Sequence, residues 1–473
     1  MSIQVWLGRI VSSSFAYTVL AAGLSGCLLK PEFQRPTVIE TQAYRDSTIS
    51  EESIVNLTWW ELFKDNPLRS LISVALEQNR NLAVAKARID EARALLGVVR
   101  PDQFPRLDGA ASASRTQVSE LVNPIAGTTS DFGLSGRLSF EVDLWGKFAS
   151  ATEAQRAELL ASEEGYKAVT LALVAQVAVT YLQLLDVDRQ TAISERTLAN
   201  RRSYTKLIEE RFAGGYTAKI DLNQAQIQEQ DAAAAVVVLR RARRLLENAM
   251  STLLGHVPHE IARAKADTNP ISIQAFPVGV PAALLQRRPD VRAAEEQARA
   301  AVMRIGVARA TQFPSLNLLG IIGLNSTQSS ELFNSDGETW SIGGNLLGPI
   351  IDLGKSWSRT KAAEAQAEQA VRRYEGVVLQ AVREVEDARV EVQTFYQEHS
   401  VRQAQVAAAQ SADMLSRRRY NDGVTSYLEV LSTQESLFSA ELARSNTMQR
   451  YLSAIVQLYK ALGGGWEMPE KTT

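Results

Sequence analysis

The sequence predicts a mainly α-helical chain built from two copies of one unit, each holding a β-hairpin followed by a pair of very long helices. Three observations lead there: a helix-favouring composition, an internal repeat at a nearly constant offset, and hydrophobic periods that switch between those of strands and helices. Of the 473 residues 45% are hydrophobic and only 7% aromatic, with 27 glycines and 14 prolines, which leaves helix formers to dominate. The 51 basic and 53 acidic residues nearly cancel, so the chain is neither a disordered polyelectrolyte nor a basic nucleic-acid binder, and no nucleic-acid partner is expected. One cysteine and three histidines exclude an intramolecular disulfide and leave little from which to build a Cys/His metal cage.

The chain opens with a modest apolar stretch, Ile10 to Leu24, behind Arg9, and then reads Leu24-Ser25-Gly26-Cys27 before turning polar at Lys30-Pro31. Residues 1–26 read as a signal peptide. The small residues before Cys27 allow close approach by a peptidase, and the pattern is similar to a bacterial lipobox in which the cysteine is lipidated; a buried apolar cysteine is the simpler alternative. Leu28 is not the aspartate that would suggest inner-membrane retention, so the outer membrane is expected. No later stretch has 18 uninterrupted apolar residues, which leaves β-strands as the expected way of crossing a bilayer.

Aligned on itself, the chain sets Arg100-Pro101-Asp102-Gln103-Phe104-Pro105 against Arg309-Ala310-Thr311-Gln312-Phe313-Pro314, an offset of 209. Gly97 with Gly306 and Asp143 with Asp352 keep it, whereas Lys147 with Lys355, Gly215 with Gly423, Thr217 with Thr425 and Gln226 with Gln434 give 208, so one residue is lost near Trp145. The register places the copies at about 67–255 and 281–463, with a 27–66 extension, a 256–280 linker and a 464–473 tail.

Each copy starts with a helix, Pro67 to Val99 and Pro281 to Ala310. In the first hairpin (about 106–144) Phe132, Leu134, Gly136, Leu138, Phe140 and Val142 alternate with mostly polar residues, the period of a strand, and Arg106 to Arg115 is its partner. Ser315 to Asn325 and Trp340 to Ile351 are the strands of the second (about 315–351). Each has about the 9–11 residues that cross a hydrocarbon core at a tilt, although a soluble hairpin pair would show the same alternation. Helices over Gly146 to Phe212 and Gly354 to Tyr420 are on the order of 100 Å long at about 1.5 Å per residue. In the later one Val371, Tyr374, Val378, Ala381, Val385, Ala388, Val392 and Phe395 follow the 3,4 spacing of a coiled-coil seam. The earlier one carries two seams, through Leu171, Val174, Ala178, Tyr181 and Leu185 and through Leu173, Val177, Leu184 and Val187, and so two helix neighbours, whether in a cylinder of helices or in a plain bundle.

The long helices end in tips, about 212–221 and 420–429, and return as helices over Lys219 to Leu254 and Ser426 to Leu462. Gly214, Gly215, Gly423 and Val424 form the turns, and Asp221 and Glu429 fall where a carboxylate complements a helix N-terminus. The Gly354-Lys355-Ser356 triplet is no phosphate loop, because Pro349 stands where the earlier glycine is required. His256 and His259 flank Pro258 without a carboxylate set, His399 lies on a long helix, and Arg240, Arg241, Arg243 and Arg244 read as a solvated face. No nucleophile, base and oxyanion set emerges, so no enzymatic activity is expected.

Four strands cannot close a membrane barrel, since closed ones start at about eight, so membrane-spanning hairpins would require oligomerisation. The chain resembles the outer-membrane efflux protein family, the TolC-like channels, and in particular the OprM-like lipoprotein subfamily of tripartite drug pumps. The residues that carry the resemblance are Trp59-Trp60-Glu61-Leu62-Phe63 with Asp65 and Pro67-Leu68, the repeated Gln-Phe-Pro, Asp143-Leu144-Trp145-Gly146, Arg287-Arg288-Pro289-Asp290-Val291 with Ala294-Glu295, Tyr420-Asn421-Asp422-Gly423, and Leu462-Gly463-Gly464-Gly465-Trp466.

The resemblance implies a homotrimer in which an α-barrel is continued by a 12-stranded β-barrel, four strands per protomer. It implies lipid on Cys27 and no other cofactor, and a periplasmic adaptor docking at the tips and linking the channel to a proton-driven inner-membrane RND-type transporter. By position it makes Asp221 and Tyr420 gate partners and Glu429 a ring of negative charge at a periplasmic aperture; the alternative is that both carboxylates merely cap helices. The chain departs from the family pattern at Ser432, where a second aspartate is frequent, and at Thr425, where some members carry arginine; Lys219 or Arg419 could then help to hold the closed state. A drug-pump conduit, a type I protein-secretion conduit and a non-channel coiled-coil scaffold remain the functional alternatives, and the cargo is not legible.

Overall fold

A computed structural model describes residues 29, 31–36, 65–117, 127–265 and 287–464. Cys27, the Trp59 to Phe63 motif and the Gly465-Trp466 ending lie outside the described residues. In chain order the elements are α1 (Asn66–Gln78), α2 (Arg80–Val99), β1 (Arg106–Gln117), β2 (Thr128–Val142), α3 (Lys147–Ala213), α4 (Lys219–Leu253), α5 (Pro289–Ala310), β3 (Ser315–Ser326), β4 (Glu338–Leu347), α6 (Lys355–Asn421) and α7 (Tyr427–Ala461). Packing divides the chain into two compact units, one drawing its described residues from 1–36, 88–162 and 293–375, the other from 37–87, 163–292 and 376–473.

Two elements differ from the sequence expectation. The helix anticipated from Pro67 to Val99 is two helices, because Asn79 is extended (ψ 129°) and its carboxamide serves the backbone on both sides. Its Oδ1 accepts from the Leu82 N–H at 3.0 Å, capping α2, while its Nδ2 donates to the Leu253 carbonyl at 2.8 Å. The strand anticipated to run to Ile351 stops at Leu347, where Gly348 lies so close to Pro314 that an added Cβ would come within 2.6 Å of its Cα. Pro349 then supplies no N–H for a ladder.

The first unit is organised by one antiparallel sheet in the order β1-β2-β3-β4, so the hairpins of the two repeats join through β2 and β3. Gln103 and Gln312 each donate to a threonine on the long helix of their own repeat, Thr152 and Thr360, both at 2.6 Å. The residue by which the repeats differ, Trp145, crosses between them: its indole Nε1 donates to the Pro314 carbonyl at 2.8 Å and its ring stacks on Phe313 at 4.7 Å. Residues 31–36 are tied to α5 by a bidentate pair from Arg35 to Glu295 (2.9 and 2.7 Å), with Phe33 beneath the Arg299 guanidinium.

In the second unit both α3 seams are buried except at Val187, which is half-buried: Val177, Ala178, Tyr181, Leu184 and Leu185 have no exposed surface. An 18-residue window of this helix reaches a mean hydropathy of 1.8, but 67% of it is buried within the chain, so packing against protein accounts for it. On α6 the single seam from Tyr374 to Val392 is buried as its spacing requires. The described part of the linker is fastened by charge. Arg263 donates to Asp188 (2.5 and 3.0 Å) and to the almost fully buried Glu247 (3.0 Å), and the Ala264 N–H donates to the Tyr181 hydroxyl, which in turn donates to Asp65.

The Arg288-Pro289-Asp290 motif opens α5 in the same manner: the Arg288 guanidinium donates to Asp290, to Glu384 and to the Ala461 carbonyl. Gly255 and Gly463, with φ of 78° and 84°, end the two returning helices against the backbone of Gln78 and Arg287.

Candidate functional site

Two sets of residues can act on something outside the chain: the faces of the sheet, and the helical tips. On the sheet, register and pleat together assign every side chain to a face. One face carries Leu107, Leu134, Leu138, Leu318, Ile322, Trp340, Ile342 and Leu346, which neighbour one another across all four strands and are all exposed. The opposite face pairs Arg106 with Ser139, Asp108 with Arg137, Glu141 with Asn317, and Asn317 with Asn345.

Arg106 also donates to Asp108 along its own strand at 2.8 Å. Strands of 12, 15, 12 and 10 residues with one continuous apolar face and one charged face suit a wall between lipid and water. Gly323 permits the β2–β3 joint, since a Cβ there would lie 2.6 Å from the Leu134 carbonyl oxygen.

At the tips, α3 turns into α4 through Gly214 and Gly215, and α6 into α7 through Gly423 and Val424. Gly215 and Gly423 adopt φ of 77° and 75°, which lets the Tyr216 and Val424 N–H groups reach back to the Arg211 and Arg419 carbonyls at 2.8 and 2.9 Å. Tyr216 and Val424 stand exposed at the two ends.

Each tip then repeats one device four residues apart. The Thr217 hydroxyl donates to Asp221 at 2.6 Å, and the Thr425 hydroxyl donates to Glu429. Arg419 adds an ion pair to Glu429 at 3.2 Å, so this carboxylate is partly neutralised within the chain. Thr425, noted from sequence as a departure from arginine, thus orients the Glu429 carboxylate, and Arg419 contacts the same group.

Tyr420 is held by rings, with the Arg211 guanidinium 5.0 Å from its centroid and Tyr427 5.5 Å away. Among the described residues no hydrogen bond joins Tyr420 to Asp221 within the chain; Asp221 accepts from Thr217. Both border Tyr427, which the sequence reading passed over: burial, followed by neighbouring Tyr420, Tyr204 and Asp221, pushes its phenol up to about 12. Tyr427 belongs to an apolar cluster with Ile208, Ala225, Val430 and Leu431 that draws on α3, α4 and α7. The signal that could have found these parts was the 208 offset itself, which already aligned Thr217 with Thr425. Among the described residues no group of three or more metal-ligating side chains is present.

A lipid-facing sheet and twin helical tips describe an outer-membrane channel component, and comparison with known proteins agrees. The model of the outer membrane efflux protein family matches residues 71–256 and 280–464, and the chain belongs to that family. The two matches start 209 residues apart (280 less 71) and end 208 apart (464 less 256), the offsets seen within the sequence.

The chain is 32% identical to outer membrane protein OprJ of Pseudomonas aeruginosa over 95% of each chain. It is 33% identical to the toluene efflux pump outer membrane protein TtgI of Pseudomonas putida, over 94% of this chain and 97% of that one. A crystal structure of a membrane protein from Pseudomonas aeruginosa superposes with a TM-score of 0.88 at 32% identity, covering 94% of this chain and all of the other. The protein is accordingly an outer-membrane channel component of an efflux pump.

Proposed function

We propose that three copies of this chain close a 12-stranded barrel and act as a passive conduit for drugs or other small molecules in a tripartite pump. The carrying observation is the four-stranded sheet. It offers lipid a continuous apolar face, yet among the described residues β1 and β4 each keep one unpaired edge. Open edges in hydrocarbon leave backbone groups without partners, and pairing β4 of one copy with β1 of the next removes them all. A scaffold built only from coiled coils has no use for such a sheet. The efflux relatives support small-molecule cargo, and that one of them is named for toluene efflux favours apolar compounds among it.

In this reading lipid on Cys27 anchors the chain in the outer membrane, a periplasmic adaptor docks on the turns at Gly214, Gly215, Gly423 and Val424, and a proton-driven inner-membrane RND-type transporter supplies the energy; the chain performs no catalysis. Asp221, Tyr420 and Glu429 hold the resting aperture. The motivation is their placement at two tips whose helices share one core, so that loosening either tip disturbs the other. Two measurements test the proposal. Native mass of the detergent-extracted protein is expected at three mature protomers, each heavier by its acyl groups; a monomer or dimer surviving gentle extraction overturns the barrel. In planar bilayers the Asp221→Ala, Tyr420→Phe double variant is expected to raise single-channel conductance, and unchanged conductance removes both residues from the gate.

A further inference from the structure

Near the tips the two helical hairpins, α3–α4 and α6–α7, meet through contacts unlike those higher up. Toward the middle of the long helices the seams are dry and aliphatic, with Val177, Leu184 and Leu185 of α3 and Val378 and Val385 of α6 buried. Closer to the turns each hairpin is tied within itself by hydrogen bonds: the Thr205 hydroxyl donates to the Ala225 carbonyl at 3.3 Å, and the Ser416 and Thr433 hydroxyls share a bond of 2.6 Å. From one hairpin to the other, Arg201 pairs with Glu435 at 2.7 Å, the cross-hairpin ion pair nearest the turns among the described residues.

Beyond that pair the junction rests on the apolar cluster around Tyr427 and on two guanidinium–ring stacks. The Arg211 guanidinium of α3 lies 5.0 Å from the centroid of the Tyr420 ring on α6, and the Arg417 guanidinium of α6 lies 5.0 Å from that of the Tyr204 ring on α3. Each long helix therefore lends the other one cation and one ring, and both rings also pack against the Tyr427 cluster. Arg417 is oriented by a bond to Asp413 on its own helix at 2.8 Å. Arg211 forms no ion pair among the described residues, and its guanidinium meets the Tyr420 ring instead. The end of α3 accounts for a cation in its last turn, but not for a seat over a ring of the other hairpin. All four side chains are half-buried. Such pairs are weak enough to part and re-form while the dry seams above stay closed, as the moving parts of a protein require.

We infer that the two stacks are a clasp that holds the hairpins together in the resting channel and parts when the tips open. Tyr204, Arg211 and Arg417 are then positioning residues of the aperture, and within the chain it is the ring of Tyr420, not its hydroxyl, that restrains opening. The inference rests on the reading above that the aperture lies at the tips, and it adds an intrachain restraint that Asp221 and Glu429 do not supply.

The test is single-channel recording of the intact detergent-extracted protein in planar bilayers, read as the ratio of time spent in the low- and high-conductance levels. Tyr204→Leu removes a ring without altering charge, and Arg211→Gln removes the cation of the other stack. Each is expected to lower the closed-to-open ratio about two- to fivefold, and the two together about tenfold. Tyr204→Phe and Arg211→Lys, which keep the ring and the cation, are expected to keep the ratio of the unmodified channel. Should Tyr204→Leu fail to assemble, Arg211→Gln, which leaves every packed ring in place, decides the matter. An unchanged ratio in Arg211→Gln overturns the clasp, and so does a shift in Tyr204→Phe as large as that in Tyr204→Leu. The earlier gate reading fails separately: a shift in the clasp variants beside an unmoved Asp221→Ala, Tyr420→Phe channel supports the clasp and removes the polar gate.

Discussion

At the level of single residues, the buried acids and the tip carboxylates make opposite demands on pH and charge. Asp186 is buried on α3, accepts from Ser445 at 2.5 Å and Gln190 at 2.7 Å, and has its pKa raised, chiefly by burial, above the ordinary 3.8. A raised folded-state pKa means that ionisation opposes folding. The penalty is absent well below 3.8, grows as pH climbs through the folded value, and is constant above it. Asp186→Asn should therefore raise the thermal transition at pH 7, with the gain over the unmodified protein vanishing toward pH 3; a gain independent of pH would assign the effect to packing. At the tip, Arg419 and Glu429 are 55% and 36% exposed, so their pair contributes little to stability, under about 1 kcal/mol. Its weight is electrostatic: Arg419→Gln should leave the thermal transition nearly unchanged while increasing the preference of the conducting channel for cations, read from reversal potentials in a salt gradient.

Among the elements, the sequence disclosed those governed by a local period and concealed those settled by a distant contact. The α6 seam was legible because Tyr374, Val378, Ala381, Val385, Ala388 and Val392 repeat every three or four residues, and all six are buried. The break at Asn79 was not legible, since nothing in the residue announces that its carboxamide will reach the Leu253 carbonyl, 174 positions away. Nor did the strand alternation say that β2 would pair with β3 and so join the repeats. The tip turns were legible as glycines, whereas the repeat aligned Thr217 with Thr425 without showing that each hydroxyl donates to the tip carboxylate four residues on.

Gly255 shows what such distant contacts demand. It ends α4 at φ 78°, and an added Cβ would sit 2.3 Å from the Gln78 carbonyl oxygen. Gly255→Ala should cost at least about 1–3 kcal/mol for the backbone alone, before α1 and α4 are forced apart. A lowered melting temperature of the extracted protein measures it, and an unaffected one would show that the two backbones separate freely.

For the whole molecule, the two faces of the sheet give a paired test in which adjacent residues should behave oppositely. Ile342 and Ser341 are neighbours on β4 that point to the apolar and polar faces respectively. Lysine in place of a lipid-facing residue costs about 2–4 kcal/mol per chain near the bilayer midplane, a cost incurred once by each protomer that inserts. Ile342→Lys should deplete the assembled protein in outer membranes, and Ser341→Lys should be tolerated. Equal yields for the two would deny the face assignment.

The contact made by Trp145 carries a consequence for how copies meet. Inside one chain, the end of the first repeat's hairpin lays its indole on Phe313 and Pro314 of the second. The corresponding end of the second hairpin, Ile350 to Leu353, is strongly exposed, as is Phe104 in the matching Gln-Phe-Pro of the first repeat. The acceptor half of such a joint is thus left open at Phe104, but the second repeat has no equivalent of Trp145 and so no indole to lay on it. A seam between two copies would therefore be closed by the aliphatic Ile350, Ile351 and Leu353 instead of the aromatic stack used within the chain, so that the repeated joint is not the same joint twice.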